Sequence, residues 1–278
     1  MRLLIVFSII TLLTTGCTIE KSVDEDASGA VVDNPTVKVI TLSEVNWQAL
    51  NPARGDKSPQ AGTLWGDRGA EVPTGFLAKF IDGFSSPPHI HNATYKAVVI
   101  SGLIHNDDPD AANMWMPTGS FWTQPKGETH ITSAKGETNI ALVEIDRGPY
   151  LVKPTTEAFD SGERPVNVDP SNIIWLDPPD ITPSESSPMI AYLWGNPKGS
   201  MPYGTFVKLP SGYNGTLHSY GSTLHAVVIT GELQHASASD KVLVPGSYFS
   251  SEGEALHQLS SAEESIIYIN TNGKYQLR

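Results

Sequence analysis

The sequence predicts an all-β protein built from two tandem antiparallel barrels or sandwiches, and three observations carry that prediction. Only 17% of the 278 residues are charged, while glycine (24) and proline (21) are abundant. Coiled coils and long bundles need charge-rich faces and few breakers, so those classes are excluded. Short β-branched and aromatic runs alternate with turn residues along the chain, the signature of short strands at regular spacing. Finally, the chain is written twice.

Taken from the N-terminus, residues 1–17 read as an export signal: Met1-Arg2, an apolar run over 3–13, then small residues leading to Cys17. The run is too short to span a bilayer, which takes about 20 apolar residues. Leu13-Thr14-Thr15-Gly16-Cys17 resembles the lipobox of bacterial lipoproteins, with Thr14 where leucine is usual. That resemblance implies acylation of Cys17, the only cysteine, and a folded part tethered by lipid at the cell envelope. Thr18 rather than aspartate after it points to the outer membrane. Residues 18–37 read as a flexible acidic spacer.

The first copy spans 38–152, a connection rich in Pro, Ser and Asp spans 153–188 with one strand over 173–176, and the second copy spans 189–278. The repeat is explicit. Leu64-Trp65-Gly66 recurs as Leu193-Trp194-Gly195, and Ala97-Val98-Val99-Ile100 as Ala226-Val227-Val228-Ile229, all 129 residues apart. Ser120-Phe121 and His130 recur as Ser247-Tyr248 and His257, now 127 apart, which places a two-residue deletion in a surface loop. A formal net charge of −12 argues against nucleic acid as a partner, because a phosphate backbone requires clustered Lys and Arg.

All eight histidines fall within the repeats, four in each. His89 and His91, two apart on a strand, share a face. His130, just after the turn Pro125-Lys126-Gly127-Glu128, is the candidate third ligand from another strand. Three imidazoles suit a divalent transition metal and leave positions open for substrate, water or dioxygen.

Gly83, five residues, His89-Ile90-His91 and later Gly102, followed by Pro125-Lys126-Gly127-Glu128-Thr129-His130, resemble the two motifs of the cupin superfamily. The resemblance implies a bicupin of two jelly-roll barrels, similar to the DUF4437-like group related to the zinc-binding cupin of ChrR anti-sigma factors. The glutamate of the first motif falls on Tyr95, and the asparagine of the second on Ala134. Tyr95, His105 and Glu128 are therefore the candidates for a fourth ligand or for the surroundings of the site. In the second copy the corresponding set is His218, Tyr220 and His257, with Leu224 at the glutamate position. This is a degenerate site expected to be structural or metal-free. His105, His225 and His235 are expected to be buried polar residues with hydrogen-bond partners.

The function expected is that of an exported, lipid-anchored bicupin holding Fe, Zn or Mn on His89, His91 and His130. It would act as a metal-dependent oxygenase or isomerase on a small molecule. The alternative is a non-catalytic ligand-binding or metal-sensing module. No His-Glu-x-x-His, Gly-x-Ser-x-Gly or Walker motif supports another enzyme class. The expected state is a monomer or a homodimer.

Overall fold

The structure, a computed structural model, describes residues 36–179, 181–184 and 186–278. The expected leader, Cys17 and all but the last two residues of the spacer lie outside the described residues. Every sheet pairing is antiparallel, and the two copies form two barrels.

The first barrel is built on a seven-stranded sheet. Its order is Val166–Val168, Phe121–Gln124, Tyr95–Asp107, Ile131–Ile145, Thr74–Phe80, Gln60–Trp65 and Trp47–Ala49. Tyr95–Asp107 and Ile131–Ile145 run side by side and bend together at two register shifts around Ser101. Gly102 makes that bend possible. Its φ is +78°, and a Cβ there would lie 2.1 Å from Asn139 Oδ1. In the second barrel the same runs are cut in two, as Thr223–Thr230 with Gln234–His235, and Ala255–Ser260 with Ser265–Thr271.

Each copy donates its first strand to the other barrel. Lys38–Ile40 pairs with Tyr248–Glu252, and Val166–Val168 pairs with Phe121–Gln124. Lys38 pairs with Ser250 and Val166 with Thr123, two partners that are themselves 127 residues apart, so these are equivalent strands exchanged. The stretch 153–188, expected to be a connection, therefore already contains the opening of the second copy. Three-residue strands such as Lys-Val-Ile and Val-Asn-Val share too little sequence for the repeat to show there.

Three hydrophobic clusters result. One fills the first barrel around Phe76, Ala97 and Trp122, and one fills the second around Val207, Phe249 and Ile267. The third lies between them, joining Leu77, Val98 and Leu142 to Phe206, Val227 and Tyr268. Trp65 stacks on His225 with ring centroids 4.4 Å apart, and Lys96 Nζ lies 4.2 Å from the Trp194 ring centroid. Trp194 lies 129 residues after Trp65 and His225 lies 129 after Lys96, so one contact is the approximate twofold image of the other. Near that axis the buried Glu144 accepts hydrogen bonds from Tyr268 Oη and Asn270 Nδ2.

Candidate metal centre

The backbone brings three imidazoles together. His89 and His130 exchange both main-chain hydrogen bonds, at 3.1 and 3.0 Å, so their side chains leave the same face of an antiparallel bridge. His91, two residues on, shares that face. The ring centroids lie 4.3 to 5.1 Å apart, and one ligand atom from each ring falls within 4.8 Å of the others. All three side chains are buried.

The outer nitrogen of each ring settles which nitrogen carries the proton. His89 Nδ1 lies 2.9 Å from the Pro87 carbonyl, His91 Nδ1 3.0 Å from that of Leu151, and His130 Nδ1 3.2 Å from that of Glu128. A carbonyl only accepts, so each Nδ1 bears the hydrogen and each Nε2 is left unprotonated, with its lone pair as an acceptor. His89 Nε2 and His91 Nε2 are only 3.2 Å apart, and His130 Nε2 is buried without a hydrogen-bond partner. Two facing lone pairs repel unless a cation lies between them. Their spacing is that of two nitrogens held by one ion at about 2.1 Å from each. Burial lowers all three pKa values, that of His130 to about 3, with repulsion from the other rings adding to the effect at His91 and His130. Neutral, deprotonated at Nε2 and convergent, the cluster fits a divalent ion.

His89 and His91 open onto a cavity of about 400 Å³ whose walls include Phe76, Phe80, Phe84, Trp122 and Tyr150. Small-molecule sites have this size and this apolar, aromatic lining.

Residues 38–278 match the family model described as a domain of unknown function, DUF4437. The chain belongs to this family. No curated protein matches the chain. Among solved structures it is similar to a protein of Nostoc punctiforme PCC 73102 provisionally called a dioxygenase. That match has 12% identity and a TM-score of 0.64, and covers 87% of this chain and 82% of the other. It is also similar to salicylate 1,2-dioxygenase of Pseudoaminobacter salicylatoxidans, at 11% identity and a TM-score of 0.56, covering 90% and 87%. The oxalate decarboxylase of Lactobacillus farciminis matches at 11% and 0.56, covering 90% and 89%. Likeness at this level shows the fold: this DUF4437 protein has the two jelly-roll barrels that the cupin resemblance implies.

The remaining sequence candidates take other places in this DUF4437 protein. Tyr95 stands beside the cluster, with its ring centroid 5.4 Å from His91 and 6.1 Å from His130. Its hydroxyl is turned to Asn106 Oδ1 at 2.8 Å, and burial keeps the phenol protonated. His105 lies on the other face of its strand from Asn106. Its Nδ1 is 3.3 Å from both the N–H and the carbonyl of Met114, and it is not part of the three-histidine group. Glu128 lines a separate hollow with Phe159, Asp160 and Arg164. Glu128 reaches the centre through its backbone carbonyl instead.

Tyr150 escaped the sequence reading. It stacks on His91 with centroids 4.4 Å apart, and its hydroxyl donates to His91 Nε2 at 3.1 Å. Residues 150–153 return over the site because Val152–Lys153 pairs with Ile90–His91. No motif marks a residue placed by chain return, so nothing in the pattern of histidines pointed to it.

The degenerate set of the second barrel is not assembled. His257 is buried inside, but His218 and Tyr220 stack on each other on the outside, where His218 Nε2 meets Glu254 Oε1 at 2.7 Å. The reason is register. His130 pairs with His89, whereas its equivalent His257 pairs with Leu217. From Phe80 to His89 is nine residues; from its equivalent Leu209 to Leu217 is eight. A one-residue slip turns every side chain to the other face, so a constant offset of 129 puts His218 on the wrong side. Inside, the expected hydrogen-bonded role holds for His235, and His257 is its partner. His235 Nδ1 accepts the Ser237 N–H at 3.1 Å, its Nε2 donates to His257 Nδ1 at 3.0 Å, and His257 Nε2 donates to Ser251 Oγ at 3.0 Å. Every ring nitrogen in that chain is satisfied. His225 hydrogen-bonds Tyr248 Oη at 2.8 Å in the interface between barrels.

Proposed function

We propose that this cupin is a metal-dependent enzyme that transforms a small molecule, as an oxygenase or an isomerase. The ion, Fe, Zn or Mn, would be held by Nε2 of His89, His91 and His130. One observation carries the reading: three backbone carbonyls fix three Nδ1 protons, leaving three unprotonated Nε2 atoms close together, that of His91 shared with the Tyr150 hydroxyl. Once bound, the ion supplies a Lewis-acidic centre with open positions for substrate or dioxygen.

The chain's own residues supply the rest. The carbonyls of Pro87, Leu151 and Glu128 orient the rings and raise their basicity. Phe76, Phe80, Phe84 and Trp122 exclude water from the cavity and grip an apolar body. Tyr150 holds a protonated hydroxyl beside His91, since burial pushes its pKa well above the ordinary tyrosine range. Elemental analysis of the purified chain tests the reading. About one ion per chain is expected in wild type and none in His130→Ala; a metal-free protein that also resists reconstitution would end it.

The name of the Lactobacillus neighbour, an oxalate decarboxylase, leaves the reaction type open, and a non-catalytic ligand-binding role is separated by turnover. Export, acylation at Cys17 and attachment to the cell envelope are proposed on the leader sequence alone. Intact mass of the protein taken from a membrane fraction checks them: an unmodified Cys17 thiol removes the anchor. A monomer or homodimer is proposed, to be read by light scattering.

A further inference from the structure

The cavity beside the three histidines has an unusual charge balance. The chain holds 30 acidic residues against 18 Lys and Arg, yet among the described residues no Asp or Glu lines this cavity. Arg54 does. Its guanidinium carbon lies 5.5 Å from the ring centroid of Phe84, a buried wall residue. No salt bridge among the described residues reaches it.

The turn that carries Arg54 is pinned. Asn51 Oδ1 accepts the Ala53 N–H at 3.1 Å, the Asn51 carbonyl accepts the Arg54 N–H at 3.0 Å, and Ser58 Oγ accepts the Asn51 N–H at 2.9 Å. Leu50 N–H closes the base of the turn on the Pro59 carbonyl at 2.8 Å. A guanidinium whose face lies on an aromatic ring keeps its edge N–H groups free, in the fork that matches a carboxylate.

We infer that this cavity takes a small organic anion with an apolar body, and that Arg54 at its exposed rim is the residue that binds the acid group. Three features converge on that class. The walls are aromatic and aliphatic, so the body is apolar. A volume of about 400 Å³ lies at the lower end of small-molecule sites, which suits one ring or a short chain. The fixed charge of the lining is positive, with no carboxylate to neutralise it, so a cation is repelled and a neutral ligand leaves Arg54 paired with water alone. Tyr95, standing where the cupin motif has a glutamate, puts a phenol in the lining in place of a carboxylate that would have faced an incoming anion.

The inference treats the cavity as the substrate pocket of the enzyme proposed above. Its test is read on chelator-treated, metal-free full-length chain, so that the two can fail separately. Benzoate and its neutral isostere benzamide are titrated by calorimetry into wild type and into Arg54→Gln. Benzoate is expected to bind about tenfold more tightly than benzamide, the size of one charge-assisted contact at a partly hydrated site. In Arg54→Gln the preference should vanish while benzamide affinity stays unchanged, which also shows that the pocket is intact. Equal binding of the two probes to wild type, no binding of either, or a preference that survives in Arg54→Gln overturns the inference. A preference for benzoate in a protein that takes up no metal supports it and sinks only the metal reading.

Discussion

His130 and His257 hold matching places in the two barrels and have opposite surroundings. In the first barrel three rings spend their Nδ1 protons on backbone carbonyls and leave their Nε2 atoms unprotonated. In the second barrel His257 is part of a closed chain from the Ser237 amide to the Ser251 hydroxyl, with no lone pair left over. One duplicated fold thus holds an open donor set in one half and a satisfied polar core in the other. The difference turns on one residue of register and on which partners meet the ring nitrogens, not on the number of histidines.

The largest effect expected from this contrast is on metal. An ion present at about 1,000 times its dissociation constant stabilises a folded protein by about 4 kcal/mol. Chelation should therefore lower the Tm of wild type. The same treatment should leave His130→Ala unmoved, because the set is then broken. His257→Ala should respond to chelation as wild type does. A His257→Ala protein that loses its ion would erase the contrast between the barrels.

Next in size is the reverse experiment on stability. His257→Ala strands the buried Nε2–H of His235 and the Ser251 hydroxyl, and opens a hole in a side chain that is fully buried. A cost of about 3 kcal/mol in urea unfolding is expected, with the ion content unchanged. A near-neutral effect would mean that the chain of hydrogen bonds contributes little.

These contrasts also show what the sequence makes legible. The duplication, the strand-rich character and the His89, His91 and His130 set could be read because each rests on local spacing that backbone geometry turns into a shared face. The failures have one physical origin. Tyr150 and the exchanged strands Lys38–Ile40 and Val166–Val168 are placed by long-range chain return, which leaves no periodicity. The pairing of His218 with His257 was misread because a one-residue deletion before the strand, cancelled after it, is invisible to a constant offset and still reverses both faces. Glu128 was singled out for its carboxylate and contributes its carbonyl, a group every residue has.

Acid should find the second barrel as well. Burial lowers the pKa of His235 to about 4 and that of His257 to about 3, the latter with repulsion from His235 added. Unfolded, both return to about 6.5. Between pH 6.5 and 4 the unfolded chain binds protons that the folded chain does not. Stability therefore falls as pH falls, by about 1.4 kcal/mol per pH unit for each ring, and the loss ends below the folded values. His257→Leu removes one such group, so its stability should fall less steeply than that of wild type across this window. Parallel slopes in urea titrations at stepped pH would show that these rings do not govern acid stability.

The smallest effect lies where the barrels meet and are most alike. Trp65 rests on His225, held neutral by a pKa lowered to about 4, while its twofold image Trp194 rests on the cation of Lys96. Lys96 also pairs with Asp146 at 2.7 Å, but that carboxylate is 74% exposed and exposed pairs contribute little. The ring, not the carboxylate, should therefore carry the interaction. Lys96→Met keeps the apolar stem against Trp194 and removes the charge, for an expected loss of about 1 kcal/mol. Asp146→Asn should change stability by less than about 0.5 kcal/mol. If the two substitutions cost the same in urea unfolding, the ion pair is the working contact. The interface would then be less symmetric in its energetics than in its geometry.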